Sequence, residues 1–462
     1  MAALASLLRR RSSRRADVLL RTLCATTTAP PLTSSAAKTR LRREYDADRA
    51  VSLLEAIDTA SLSAGSTRHA LSLAARRLTR AGRHADAEAL LSSHIPASPT
   101  EPHLSAILCS YASAGLPEKA LEAFRSAAPS LPSPISPMPF NALLSAFVRC
   151  RRHRRVPVLF EELSKEFSIT PNATSYAILV KAHCMVRHDA KAHEVIARMR
   201  EEGISPTTTI YTTMIDSMYK QKKVEEAQTL WKQMLESGCK PDHATYNVKA
   251  MHHGLNGKPE GVLQVMAEME ADGVKPDTIT YNFLMTAYCK DGKMEDAKAL
   301  YHSLGDKGCS ANAATYKHML AALFAHGDFD TAMKIFRESM SKHKVPDFKT
   351  MKGFVEGLAK GGRVAEAKEV IYVVTKKFPD TMLSGWKKLE KELGFCSDSG
   401  DTTPHTECTA EEPVSESEPA TTEALELKDS AAEETGVSEE YDGDETPSPE
   451  TSTDEEVPRG PA

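Results

Sequence analysis

The sequence predicts an all-α chain: a right-handed α-solenoid, or superhelix, of about 8–9 helix-turn-helix pairs. Three observations carry this reading. Tyr176, Tyr211, Tyr246, Tyr281 and Tyr316 stand 35 residues apart. A small residue recurs in step at Ala192, Ala227, Ala297, Ala332 and Ala367. Gly203, Gly238, Gly273 and Gly308 recur with them, as do Pro206, Pro241, Pro276 and Pro346. Self-similarity at a fixed period of about 20–50 residues is the mark of stacked supersecondary units. Met351 continues the tyrosine series, Phe140 precedes it by 36 residues, and Leu104 and Leu71 hold the same phase at looser spacing.

Each unit reads as two helices. In 278–312, TITYNFLMTAYCKDGKMEDAKALYHSLGDKGCSAN, the residues Tyr281, Leu284, Met285 and Tyr288 share one face at i, i+3, i+4 and i+7. Asp291-Gly292 breaks that helix. Met294, Ala297, Leu300, Tyr301 and Leu304 form a second apolar stripe, and Gly308 ends it, because glycine tolerates the left-handed conformation that closes a helix. Pro241 and Pro276 stop any continuation in the neighbouring units. The small residue on the second helix lets the pair approach closely. A helix of about a dozen residues is marginal alone in water, so stability must come from contacts between successive pairs. A long concave groove is expected.

This pattern resembles the pentatricopeptide-repeat family. The motif TYNxLxxxYCKxGxxxxAxxLYxxLxxKG in 278–312 is close to that family's consensus, and 208–242, TTIYTTMIDSMYKQKKVEEAQTLWKQMLESGCKPD, is a second good copy. The tetratricopeptide repeat fits less well, having a period of about 34 and no terminal Gly-x-x-Pro-Asp. The resemblance spans 68–380 and divides into units at 68–100, 101–136, 137–172, 173–207, 208–242, 243–277, 278–312, 313–347 and 348–380. Residues 44–67 read as an N-terminal capping helix. Residues 381–396 read as a closing helix, whose Trp386, Leu389 and Leu393 would cover the last unit.

The ends are different material. Residues 1–43 carry nine Arg and one Lys against Asp17, and they are rich in Ser, Thr and Ala. That is the composition of an organellar transit peptide. The spacing of its arginines among Leu and Ala favours a mitochondrial address, with the chloroplast as the alternative. Residues 397–462 carry 21 acidic residues against Lys428 and Arg459. With few large apolar side chains, this acidic tail is expected to be disordered, and either to repel non-specific RNA or to bind a basic partner. The whole chain is −5, which leaves the repeat region mildly basic at +5. No stretch approaches the ~18 apolar residues that a bilayer span needs. The nine Cys form no CxxC pair and follow the repeat phase instead, which argues against a metal or disulfide framework.

The resemblance implies binding of single-stranded RNA, one base per repeat, read by two or three side chains. Its reading positions are the residue after the repeat Tyr and the last residue of the repeat. Here these are Asn141 with Asn172, Ala177 with Thr207, Thr212 with Asp242, Asn247 with Asp277, Asn282 with Asn312, and Lys317 with Asp347. By the family's code, Thr–Asp implies G, Asn–Asp implies U and Asn–Asn implies a pyrimidine. The Ala–Thr and Lys–Asp pairs match no strong assignment. The same polar residues also suit helix caps. An aliphatic wedge between bases is implied two residues before the Tyr; that phase holds Thr174, Thr209, Ala244, Ile279 and Ala314, of which only Ile279 is a good wedge. Arg151, Arg152, Arg154, Arg155, Lys220, Lys222 and Lys223 fall at or beside inter-helix turns, within reach of phosphates or simply of solvent.

An enzyme is not expected, nor a cofactor, metal or small-molecule substrate. His405 and Glu407 form an HxE, but no PCxxC follows, and there is no GxxxxGK[ST]. Three readings of function remain. The first is an RNA-contacting component or associate of the mitochondrial ribosome, in its small subunit, acting in translation. The second is a free organellar transcript-binding factor for RNA stability or processing, on mRNA or rRNA. The third is a protein-only interaction scaffold. The sparse wedges, the short code and the departures at Trp231 and His253 favour the first. A monomer is expected outside any assembly.

Overall fold

In the computed structural model the described residues are 39–395, apart from 43, 56, 58–63, 96–99 and 378–382. Most of the arginine-rich segment 1–43, expected to be a transit peptide, and all of the acidic segment 397–462, with His405 and Glu407, lie outside them. Among the described residues every regular element is helical, and nine successive helix pairs run from Ala64 to Lys377. Each first helix packs on its own second helix and on the first helix of the next unit. The contacts are those of a chain whose units bury their apolar stripes only against neighbours.

Eight of the nine first helices, from Glu101–Ser113 to Phe348–Lys360, are 13 residues long. Each is therefore about 20 Å from end to end. The repeat tyrosine fills the space between the two helices of its unit: Tyr176, Tyr211 and Tyr316 are 0% exposed and Tyr246 is 2% exposed. Burying a phenol requires a partner for its hydroxyl, and the far end of the second helix supplies it. Tyr176 donates to Glu202, Tyr246 donates to Asp272, and the Tyr211 hydroxyl lies 2.8 Å from Ser237 Oγ. Burial first, and the Glu202 contact second, push the Tyr176 phenol up to about 12. The recurring alanines Ala192, Ala227, Ala297, Ala332 and Ala367 are all fully buried.

The unit 243–277 has Val262 at the alanine phase. Close approach of this pair is secured one residue earlier, at Gly261, where an added Cβ would run into His253 Nδ1 of the unit's own first helix. The next first helix comes close at Gly254, where an added Cβ would lie 2.7 Å from the Phe283 carbonyl oxygen. The second helix of 278–312 also departs from expectation. It ends at Ser303, and residues 304–308 form a turn that closes at Gly308. Gly305 accounts for the early stop, since glycine weakens a helix by about 1 kcal/mol; Leu304 still reaches the core.

At either end the apolar face is covered. Ala50 and Leu54 of the helix Ala47–Glu55 are buried against Ala64–Arg80. Trp386, in the helix Ser384–Glu392, stands edge-on to Phe348 at 5.0 Å.

The inter-helix turns need one residue in the left-handed region. Glycine holds it at Gly257, Gly292, Gly327 and Gly362, but the same phase carries Lys222 at φ 63° and Arg187 at φ 58°. Relief of left-handed strain is worth about 1–2 kcal/mol, and glycine's extra loss of freedom offsets about 0.5–1 kcal/mol of it. Lys222→Gly and Arg187→Gly are thus expected to raise stability by about 0.5–1 kcal/mol each in urea denaturation. Gly254→Ala is expected to lower it by about 1–2 kcal/mol, because the carbonyl it meets belongs to a helix backbone that cannot turn aside.

Candidate nucleic-acid interface

The candidate reading groups come together at the junctions between units. Each junction begins with an extended residue that caps the next first helix. Asp277, at φ −106° and ψ 179°, accepts from the backbone N–H groups of Ile279 and Thr280, both at 2.9 Å. The Thr280 hydroxyl in turn accepts from the Asp277 N–H at 3.2 Å. Asn172 with Ser175, Asp242 with Thr245, and Asn312 with Thr315 form the same reciprocal box. Such a cap is worth about 1 kcal/mol. The sequence builds it with a left-handed residue that ends the preceding helix, glycine at three of these four junctions and Ser168 at the fourth, a short extended stretch that holds proline at three of them (Pro171, Pro241 and Pro276), and a side chain short enough to fold back on its own helix.

The cap also touches the preceding unit. Asn141 Nδ2 donates to Asn172 Oδ1 at 3.2 Å, Asn247 Nδ2 to the Asp277 carboxylate at 3.3 Å, and Asn282 Nδ2 to Asn312 Oδ1 at 3.3 Å. Thr212 reaches Asp242 through a hydroxyl between them: Thr212 Oγ1 lies 2.7 Å from Thr245 Oγ1, which lies 2.7 Å from Asp242 Oδ1. Four of the six sequence-designated pairs are therefore juxtaposed through amide, hydroxyl and carboxylate groups. Asn247 and Asn282 are 8% and 5% exposed, so only an edge of each amide meets solvent.

The other two pairs differ for reasons visible in the residues. Ala177 has no polar group, and Thr207 makes no side-chain cap bond. Ile210 occupies the position that holds a hydroxyl at the other junctions and is fully buried. In the last pair Lys317 Nζ is 2.9 Å from Asp347 Oδ2, an ion pair that occupies the junction. The remaining features fall around this line. Thr174, Thr209 and Ala244 are exposed, and Ile279 and Ala314 are half-buried. Lys223 pairs with Asp189 at 2.8 Å and Lys220 with Asp216 at 2.8 Å, whereas Arg151, Arg152, Arg154 and Arg155 are exposed. Among the described residues no group of three or more His, Cys, Asp or Glu could hold a metal ion, and no helix is long and apolar enough to cross a membrane.

The sequence reading passed over Ser175, Thr245, Thr280 and Thr315. All four are fully buried, and each touches both members of its pair. Their signal was present as a hydroxyl residue immediately before the repeat tyrosine, three residues after the cap.

Comparison with known proteins places the chain among repeats of one kind. The PPR repeat family matches at 206–249 and 276–324, the pentatricopeptide repeat domain at 168–218 and 251–297, and the PPR repeat at 103–126, 139–166 and 314–343. A mitochondrial pentatricopeptide repeat-containing protein of Arabidopsis thaliana is 39% identical over 369 residues, covering 79% of this chain and 87% of its own. The small ribosomal subunit protein mL103 (rPPR7) of the same plant is 38% identical over 369 residues, covering 79% and 89%. Among solved structures, maize PPR10 is 17% identical over 83% of this chain and 70% of its own, with a TM-score of 0.31. Yeast Rmd9p, solved with a 16-nucleotide target RNA, is 11% identical over 81% and 77%, with a TM-score of 0.35.

The Lys317–Asp347 pair makes one junction sensitive to pH. Burial works to raise the Asp347 carboxyl, but the Thr350 backbone N–H and Lys317 outweigh it and hold it below its ordinary value. A carboxyl depressed in the folded state stabilises at pH above its ordinary value near 4 and loses that contribution as pH falls through the folded value. Both side chains are substantially exposed, so screening keeps the effect small. Asp347→Ala, which also removes the cap, is expected to cost about 1 kcal/mol at pH 7, with a penalty that shrinks as pH falls below the ordinary carboxyl value in urea melts.

Proposed function

Since this chain belongs to the pentatricopeptide-repeat family, we propose that it binds single-stranded RNA along the line of unit junctions and serves as a component or associate of the mitochondrial small ribosomal subunit, acting in translation. The observation that carries the proposal is the row of paired polar groups at Thr212–Asp242, Asn247–Asp277 and Asn282–Asn312, three consecutive junctions of like geometry. Amide, hydroxyl and carboxylate groups offer defined donors and acceptors to base edges, and repetition at a fixed interval suits a strand whose bases repeat likewise.

Attachment to a larger assembly is supported by what flanks that row. The junction at Thr207 lacks a polar partner, the junction at Asp347 is occupied by Lys317, and the wedge positions are small or polar except at Ile279. Stacking platforms contribute about 1–3 kcal/mol per base where they are aromatic, and side chains as short as Thr and Ala forgo much of any comparable apolar contact. Three legible bases do not single out one transcript. The 38% identity to a small ribosomal subunit protein along 79% of the chain points the same way. Mitochondrial residence is the reading that the arginine-rich residues 1–43 and the mitochondrial relative support. The chain would be a monomer outside the assembly.

A second reading, a free transcript-binding factor for RNA stability or processing, is favoured by one observation: the three intact junctions are contiguous. The two separate on sedimentation of organelle lysate. Ribosome association predicts co-migration with the small subunit in magnesium, at the subunit position after chelation of magnesium. Migration in light fractions with one enriched transcript under both conditions would overturn it in favour of the free factor.

A further inference from the structure

The hydroxyl that precedes the repeat tyrosine touches both reading groups, and proton counting says what it does there. Thr280 Oγ1 carries one hydrogen. Its nearest acceptor is Asn247 Oδ1 at 2.7 Å, with Asp277 Oδ1 farther away at 3.0 Å. Asp277 Oδ1 already accepts two backbone N–H groups. The proton therefore goes to the Asn247 carbonyl. That turns the amide oxygen inward and leaves the amino group towards Asp277, where Nδ2 lies 3.3 Å from Oδ1. The reversed amide would set a carbonyl against a carboxylate and strip the buried hydroxyl of this acceptor, which costs more than an ordinary hydrogen bond gains.

The same ordering recurs at two more junctions. Ser175 Oγ is 2.6 Å from Asn141 Oδ1 and 3.0 Å from Asn172 Oδ1. Thr315 Oγ1 is 2.8 Å from Asn282 Oδ1 and 3.1 Å from Asn312 Oδ1. All three hydroxyl residues are fully buried. Amide orientation in such a place is decided by the surrounding network, and here the network decides it the same way three times.

We propose that Ser175, Thr280 and Thr315 are positioning residues that fix the reading amides of Asn141, Asn247 and Asn282, so that each presents an N–H donor to the groove and keeps its carbonyl inward; this rests on the base-reading function proposed above. At Asn247 the second amide hydrogen then stands beside Asp277 Oδ2, which lies 3.4 Å from Nδ2, takes no backbone N–H and has lone-pair capacity to spare. A donor next to an acceptor complements uracil, whose edge sets a carbonyl oxygen beside an N–H. Cytosine presents the same pair in reverse order, an amino group and then a bare ring nitrogen, so a base held in uracil's pose meets donor against donor. The buried hydroxyl thus converts an asparagine, which is ambivalent by itself, into a one-sided group.

The test uses the full chain and a pool of 14-nucleotide single-stranded RNAs of random sequence, with sequencing of the bound fraction. The parent is expected to prefer uracil at the position facing Asn247 and Asp277. Thr280→Val exchanges the hydroxyl for a methyl of similar shape and is expected to lower the uracil-over-cytosine preference there about fivefold, the equivalent of one hydrogen bond. Thr280→Ser is expected to keep it. Thr350→Val removes the matching cap hydroxyl where the reading position is Lys317, and it should leave the profile unchanged, which separates positioning from helix capping. An unchanged preference in Thr280→Val, or an equal change in Thr350→Val, overturns the assignment. A parent without base preference at any position overturns the base-reading function itself, and the assignment falls with it.

Discussion

Every first helix in the repeat region starts with backbone N–H groups that have no partner inside the helix, and the way that demand is met organises the rest of the structure. At four junctions a short Asn or Asp folds back on the N–H three residues on and receives a hydroxyl in return. The capping side chain cannot do this without facing the preceding unit, because the first helices stack directly on one another. Helix termination, unit stacking and the display of polar groups are therefore one arrangement seen from three sides. A solenoid has no single core to hold it, so about 1 kcal/mol per junction is a meaningful share of each neighbour term.

The junctions are not equivalent, and the differences trace to single residues. Ile210 in place of a hydroxyl leaves Thr207 without its box, and Ala177 offers that junction nothing across the gap. Lys317 in place of Asn converts a neutral amide contact into an ion pair with Asp347. The line of intact junctions is thereby bounded on both sides, running through Asp242, Asp277 and Asn312. Asn141 with Asn172 stands apart, beyond the Ala177 interruption. In the proposed function a line of this length makes a short address and leaves other contacts to locate the RNA. The exposed arginines at 151, 152, 154 and 155 lie at the inter-helix turn of the unit 137–172, where they offer an unspecific electrostatic share to a strand that extends that far.

Much of this was legible in the residues. The 35-residue tyrosine interval, the alanine phase and the glycine terminators marked the helical units because each answers a steric requirement that is local in sequence. The candidate reading pairs were legible only through family likeness, and the structure shows why their members fall together: the last residue of one unit is the cap of the next. Less legible was whatever depends on a third party. Thr280 looks like any helix-start threonine until Asn247, 33 residues earlier, is placed against it. The burial of Asn247 and Asn282 could not be read from their polarity, since it is imposed by the neighbouring cap. Lys222 and Arg187 took the left-handed turn position because the turn is set by the two helices it joins, which override the local preference for glycine.

The central claim is that RNA lies along the unit junctions. Crosslinking answers it most directly: an RNA carrying 4-thiouridine at single positions is bound to the full chain, irradiated, and the attached peptides are identified. The account predicts attachment to the N-terminal turns of Thr208–Lys220, His243–Leu255 and Thr278–Lys290, shifting by one unit as the label moves by one nucleotide. Attachment confined to the outer surfaces of the second helices, or to one place whatever the position of the label, would contradict it.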